Sequence, residues 1–218
     1  MKKTPLYDIH KQLGARMVDF AGWEMPVLYT GVIDEHLAVR NQAGLFDVSH
    51  MGELEIIGPG ALALVQKVTC NDASRLVPGA CQYSALLTPE GTFIDDIIVY
   101  RKGADHFFIC VNASNSDKDF AWVQGHASIH ARVENNSDSY ALIALQGPRA
   151  KEILQGIGSL PMPPKPFTFV ETTFEKRPLL ISRTGYTGED GVEIYTSPAD
   201  APALWNLLME AGKPLGLL

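Results

Sequence analysis

Two adjacent acids inside an apolar run are the first residues here that could do chemistry. Asp95 and Asp96 interrupt Thr92-Phe-Ile-Asp-Asp-Ile-Ile-Val-Tyr100, which otherwise reads as a buried strand. Strand alternation predicts Asp96 on one face with Ile94, Ile98 and Tyr100, and Asp95 on the other with Phe93, Ile97 and Val99. The two carboxylates then point apart, which excludes a proton-sharing dyad or a glycosidase pair made from these two alone. A single carboxylate on an apolar face is costly unless paired, and desolvation would raise its pKa. The plainer alternative is that one or both acids cap the preceding turn or meet an arginine.

A second candidate is Arg183-Thr-Gly-Tyr-Thr-Gly-Glu-Asp-Gly-Val-Glu-Ile-Tyr195. Its three glycines allow positive φ and close backbone approach, and it presents Tyr186, Glu189, Asp190 and Glu193. It is not a phosphate loop, because no Gly-Lys-Ser/Thr follows and its acids would repel phosphate. A tight hairpin with solvated acids is the plainer reading. A third candidate is Phe46-Asp-Val-Ser-His-Met51, a polar patch. Ser49 and His50 adjoin there, but no Gly-x-Ser-x-Gly elbow exists, so a serine hydrolase is poorly supported. Asn112, in Val111-Asn-Ala-Ser-Asn115, falls at a strand end where amides often bind ligands.

The remaining chemistry-bearing residues are sparse. Cys70, Cys81 and Cys110 show neither a CxxC pair nor a disulfide framework, and read as free thiols in a reducing cytoplasm. His126 and His130 are spaced i, i+4, but lack the Glu of a zinc-protease pair and read as surface histidines. No metal site is expected. Eighteen basic against 25 acidic residues give a net charge of −7, which argues against a non-specific nucleic-acid binder. No apolar run approaches the roughly 20 residues needed to span a bilayer, so no membrane role is expected. Met1-Lys-Lys-Thr-Pro-Leu-Tyr7 lacks the apolar stretch of a secretory signal.

The elements that must position these groups follow from periodicity. Helices are predicted over 7–13 and 33–42, with an aromatic, Gly- and Pro-broken segment from Phe20 to Tyr29 between them. From Met51 the pattern predicts a strand (53–57), a helix (61–68), strands at 82–87, 92–101 and 106–112, a helix from Ser116 to about 129, and a strand at 131–134. That order resembles a ferredoxin-like α+β layer with one inserted strand. After a polar linker at 135–139, strands are predicted at 141–145, 168–173, 179–183 and 192–195, with helices ending near 155 and spanning 201–211. At 218 residues the chain is expected to hold a discontinuous first domain, 1–50 plus 138–218, around an inserted domain, 51–137.

Taken together, the segments resemble the glycine cleavage system T-protein family of tetrahydrofolate-dependent aminomethyltransferases. The resemblance rests on Thr4-Pro-Leu-Tyr7, Gly14 through Pro26, Phe46-Asp-Val-Ser-His-Met-Gly52, Asn71-Asp72, Gly91 through Tyr100, Val111 through Asn115, Lys118-Asp119, Leu145-Gln-Gly-Pro148 and Arg183 through Glu193. It implies an α+β folate-binding fold, a discontinuous domain around a ferredoxin-like insert, followed in the family by a C-terminal β-barrel domain. It also implies the reaction. A lipoylated H-protein delivers an aminomethyl group on sulfur, tetrahydrofolate takes the one-carbon unit as co-substrate, and ammonia leaves.

By the same resemblance the essential carboxylate is Asp96, which would orient the folate nitrogens and stabilise positive charge developing on the one-carbon unit. An apolar surrounding would strengthen that effect. Met51, Tyr83, Ile98, Tyr100, Asn112, Tyr186 and Glu193 match the folate-contacting positions. The aromatics would flank the pterin or aminobenzoyl rings, and Asn112 and Glu193 would pair with pterin N–H and carbonyl groups. Family members continue after the stretch matching Gly212 to Leu217 with a Gly-Ala-Arg segment, whose Arg belongs to the folate site, and with the barrel. The barrel is therefore expected to be missing here, and the chain to bind tetrahydrofolate more weakly than a full-length relative. Other readings are a related folate-dependent demethylase, an iron–sulfur maintenance protein, or a non-catalytic folate-binding fragment.

Overall fold

The computed structural model describes residues 1–158 and 160–218. The chain opens with α1 (Tyr7–Gln12), β1 (Arg16–Phe20), β2 (Trp23–Leu28), α2 (Val32–Asn41) and β3 (Gly44–Asp47). It continues through β4 (Gly52–Ile57), α3 (Ala61–Val68), β5 (Cys81–Leu87), β6 (Phe93–Gly103), β7 (His106–Val111), α4 (Ser116–Gly125) and β8 (Arg132–Asn135). It ends with β9 (Ala141–Gln146), α5 (Ala150–Gly156), β10 (Phe169–Phe174), β11 (Arg177–Ser182), β12 (Gly191–Thr196) and α6 (Ala201–Gly212). These elements divide into two compact units, Met1–His50 with Asp138–Leu218, and Met51–Ser137.

The first unit is built on an antiparallel sheet of order β10-β11-β12-β9-β3. On α6, Ala201, Leu204, Trp205 and Leu208 are buried at i, i+3, i+4 and i+7, the apolar stripe of an amphipathic helix. That stripe and Ile153 and Leu154 of α5 share a core with Ile143, Leu145, Ile181, Val192 and Ile194 of the sheet. Each fully buried Leu or Ile of this kind contributes roughly 1.5–3 kcal/mol. Leu217 belongs to the same core.

One hairpin in this unit escapes the sequence reading, and in a second only the turn geometry does. Phe20 to Tyr29 is not an irregular segment: β1 and β2 pair, with Phe20 opposite Trp23. The two-residue turn between them has Ala21 at φ 52 and Gly22 at φ 82, both left-handed, as a tight hairpin matching strand twist requires. Asp19 Oδ1 accepts the Gly22 N–H at 3.0 Å. Glu175 and Lys176 make the second such turn, at φ 49 and 69, between β10 and β11. Neither turn carries the Asn-Gly or Asp-Gly pair that announces this geometry in a sequence. β3 also appears where only a polar patch was expected.

The second unit is a five-stranded antiparallel sheet of order β5-β6-β7-β4-β8. It is a ferredoxin-like layer with β5 added at the edge as the hairpin partner of β6. On one face Leu54, Ile56, Ile97, Val99, Phe107 and Ile109 pack with Leu64, Val65 and Val68 of α3 and Val123 of α4. α4 ends at Gly125, four residues short of expectation. Glycine is a poor helix former, and the next N–H groups, of His126 and Ala127, turn back to Val123 and Gln124 carbonyls in tighter i→i+3 bonds. His126 and His130 therefore do not share a helix face.

Candidate functional site

The two acids of β6 are set by a β-bulge. Leu86 lies opposite Asp95 and Leu87 opposite Phe93, so Ile94 is the extra residue. The expected alternation fails there: Phe93 is 74% exposed, while Ile94 packs on the core of the sheet. Lys118 of α4 donates to the Ile94 carbonyl at 2.8 Å, holding the bulge against the helix start. Asp95, not Asp96, is the buried acid, at 7% exposure. Asp96 is exposed, so the apolar surrounding expected for it is not met. Neither acid meets an arginine among the described residues.

Asp95 instead meets amides. Its Oδ2 accepts the Asn112 backbone N–H at 3.0 Å, and its Oδ1 accepts Asn112 Nδ2 at 3.0 Å and Asn115 Nδ2 at 2.7 Å. Asn112 Nδ2 also donates to the Asp96 carbonyl and to Asp96 Oδ1, each at 3.1 Å. The Tyr83 hydroxyl donates to Asp96 Oδ2 at 3.0 Å, so both oxygens of Asp96 are held. Burial alone would raise Asp95, but hydrogen bonds from Asp119, Asn112 and Asn115 hold it below the usual carboxylate range.

Asp119, in the first turn of α4, is fully buried. Neither of its oxygens meets an N–H or hydroxyl donor, and Lys118 Nζ stands 4.0 Å away. Facing the Asp95 carboxylate, it can bond to it only if one of the two carboxyls carries a proton. Asp119 keeps it: burial first, then the bond to Asp95 and the charge of Asp95, push it up to about 8.

Sheet register brings further expected residues onto the face opposite α3 and α4. Tyr83, Ile98, Cys110 and Glu53 form one cross-strand row, and Cys81, Tyr100, Phe108 and Glu55 the next. Met51 and Asn112 immediately adjoin the Gly52–Val111 pair at the strand ends. Tyr83 is 55% exposed, whereas Tyr100 is fully buried with its ring edge-on to Phe108. Tyr100 is thus a wall residue of this face and not an exposed ring. Burial holds Glu53 well above the usual range. Met51, Tyr83, Asp96, Ile98, Tyr100 and Asn112 all belong to the second unit; Tyr186 and Glu193 belong to the first.

In the first unit Glu193 stands in the row Ser182, Glu193, Ala144, Phe46. Thr184 donates to it through a short hydrogen bond, and burial nonetheless raises its pKa. The Tyr186 ring is 67% exposed and lies 6.3 Å from that of Phe46. The acids of the Gly-rich segment are less solvated than a plain hairpin would leave them. Arg183 holds Asp190 through two bonds of 2.8 and 2.6 Å, and Arg40 holds Glu189 at 2.9 Å. Only Gly188 of its glycines has positive φ. Gly185 and Gly191 serve close approach: a Cβ would stand 2.1 Å from Gln146 Oε1 and 2.4 Å from the Leu145 carbonyl, respectively.

A buried chain of polar groups in the same unit was not foreseen. Asp47 Oδ2 accepts from Thr4 Oγ1 at 2.6 Å and from His10 Nε2 at 2.9 Å, and its Oδ1 accepts the Ser49 N–H at 2.9 Å. With Nε2 donating, His10 Nδ1 accepts the Tyr29 hydroxyl at 2.7 Å. Burial pushes Asp47 up, but these donors more than offset it and hold it low. Tyr29, Asp47, Phe46, His50 and Tyr186 line a cavity of about 550 Å³. Ser49 Oγ bonds the Leu142 backbone at 3.2 and 3.1 Å, which ties it into structure. The residues are far apart in sequence, so no local pattern could announce the chain.

The GCVT N-terminal domain family matches residues 6–218. This chain belongs to that family. An aminomethyltransferase of Halothermothrix orenii is 52% identical over 219 residues, covering all of this chain and 61% of that relative. One of Bacillus subtilis is 46% identical over 220 residues with the same coverage. The chain thus spans 61% of the length of these curated relatives. The crystal structure of glycine cleavage system aminomethyltransferase T from Bartonella henselae superposes with a TM-score of 0.91 at 36% identity, over 100% of this chain and 58% of that one. The GCVT fold also relates it to the heterotetrameric sarcosine oxidase of Corynebacterium, in fold alone, at a TM-score of 0.61 and 17% identity over 82% of this chain and 90% of that one. Among the described residues no cluster of three or more His, Cys, Asp or Glu is placed to hold a metal ion. No helix there is long and apolar enough to cross a membrane.

Proposed function

We propose that this GCVT N-terminal domain binds tetrahydrofolate for an aminomethyltransferase of the glycine cleavage system. The reaction passes a one-carbon unit from the aminomethyl-lipoyl arm of an H-protein to tetrahydrofolate, with release of ammonia. The observation that carries this reading is the held carboxylate of Asp96, bonded by Tyr83 on one oxygen and Asn112 on the other. In the transfer the carbon gives up its bonds to the lipoyl sulfur and the amine nitrogen and gains two to folate nitrogens. Positive charge develops on that carbon in passing. A carboxylate already fixed by two donors stabilises such charge with little reorganisation, so orientation takes the place of a dry pocket.

The residues present fit the folate. Asn112 Oδ1 and Asp96 together offer acceptors to the N–H groups of a reduced pterin. Tyr83, more than half exposed, offers a ring suited to a planar ligand. Met51 and Ile98 supply apolar surface, and Tyr100 backs the sheet face. The test is formation of methylenetetrahydrofolate from an aminomethyl-lipoyl carrier by this 218-residue chain and its Asp96→Asn variant. The reading expects wild-type turnover, below that of a full-length relative, and its loss in the variant. Equal rates, or no wild-type turnover, would overturn it.

A further inference from the structure

We infer that Asp95, Asn115 and the buried carboxyl of Asp119 are positioning residues that lock the Asn112 amide with its carbonyl outward, so that the site selects a ligand edge of N–H donors. The inference rests on the folate reading only for the identity of that ligand.

Asn112 Nδ2 is surrounded by three oxygens, Asp95 Oδ1, the Asp96 carbonyl and Asp96 Oδ1, at 3.0 to 3.1 Å. A flipped amide would set its own oxygen against all three, so only one orientation is compatible with the cluster. Asn112 Oδ1 is then left as an acceptor beside Asp96. A reduced pterin carries ring N–H groups where the oxidised ring carries bare nitrogens, so two adjacent acceptors favour the reduced form.

What keeps the cluster in place is Asp95, and Asp95 is kept by its neighbours. Asn115 occupies one side of Oδ1 at 2.7 Å. Asp119, buried on α4 four residues after Asn115, faces Asp95 and would supply the carboxyl proton between them. Its charged surroundings are few. Lys118 on its own helix stands 4.0 Å from Oδ1 and Asp95 faces it from β6. By alternation β4 and β8 turn Leu54, Ile56, Val133 and Asn135 towards α4, and carry Glu53, Glu55, Arg132 and Glu134 on the other face. If Asp119 lost its proton, two carboxylates would confront one another and Asp95 would be driven off the amide.

The experiment follows the Asn112 side-chain amide by NMR in the ligand-free 218-residue chain, from pH 6 to 9.5, in wild type, Asp119→Asn and Asp119→Leu. The wild-type resonances are expected to move with a midpoint near 8. They should stay fixed in Asp119→Asn, whose amide still donates to Asp95, and lose their hydrogen-bonded shift at every pH in Asp119→Leu. Titration with tetrahydrofolate and with oxidised folic acid forms the second arm. Asp119→Leu is expected to lose about tenfold in tetrahydrofolate affinity, the worth of one hydrogen bond, and Asp119→Asn to restore it. An Asn112 amide indifferent to Asp119→Leu would overturn the inference, whatever the folate result. If the amide responds as expected but tetrahydrofolate does not bind the wild type, the orienting network stands and the folate reading fails.

Discussion

Asn112 grips Asp95 twice, with its backbone N–H on Oδ2 and its side-chain amide on Oδ1, both at 3.0 Å. One residue at the end of β7 thereby fixes a buried acid on β6, and the same amide reaches Asp96 Oδ1 at 3.1 Å. The relationship couples stability to the candidate site.

Replacing Asn112 with alanine keeps the backbone bond and removes the amide. Asp95 and Asp96 each lose a donor, at a cost of roughly 1–3 kcal/mol. Urea denaturation should show the midpoint falling. An unchanged midpoint would mean that water replaces the amide without loss.

Asp119 gives stability a pH dependence of definite sign. Its folded pKa of about 8 lies above the ordinary carboxylate value, so the folded state holds a proton that the unfolded state releases near pH 4. The contribution is complete below about pH 4 and is lost as pH rises towards 8. Asp95, held low, acts oppositely and loses its contribution only in acid. Urea midpoints at pH 5 and pH 8.5 should differ less in Asp119→Asn than in wild type; an equal difference would exclude Asp119 as the source.

His10→Ala should be among the most damaging changes in the first unit. It leaves the buried Asp47 carboxylate and the Tyr29 hydroxyl without their common partner. Leaving a buried group without its partner costs on the order of 1–3 kcal/mol, and more where the group is charged. Thermal unfolding would reveal it, and a loss below about 1 kcal/mol would show that Thr4 and Ser49 suffice to hold Asp47.

The glycines divide by reason. Gly191→Ala forces a Cβ to 2.4 Å from the Leu145 carbonyl, inside the sheet, and should cost roughly 1–3 kcal/mol. Gly22→Ala meets nothing within 4 Å and strains only a turn at φ 82, which should cost about 1 kcal/mol. Chemical denaturation of the pair should preserve that order, and the reverse order would contradict the packing argument.

The sequence made much of this legible, and the limits are physical. Alternation placed Ile97 and Val99 on one face of β6 and Ile98 and Tyr100 on the other, because period-2 burial needs only local residue types. It failed at Phe93 and Ile94, where a bulge adds a residue that no pattern announces. The motifs that matched the family brought Asp96, Tyr83 and Asn112 forward as candidates. They did not reveal that Asp95 is the buried acid, because exposure depends on what covers the face. Asp119 stood in the sequence only within the matched Lys118-Asp119 pair, and only the fold brings it against Asp95. The Asp47–His10–Tyr29 chain joins β3, α1 and the end of β2, a long-range meeting invisible in any window.

Asp96, held by Tyr83 and Asn112, is the carboxylate proposed to meet tetrahydrofolate. The decisive measurement titrates this chain with tetrahydrofolate to millimolar concentration while following the Asn112 side-chain amide, in wild type and in Asp96→Asn. A saturable shift of that amide in the wild type, absent or at least tenfold weaker in the variant, is the predicted result. No shift in the wild type, or the same affinity in both proteins, would rule out that role for Asp96.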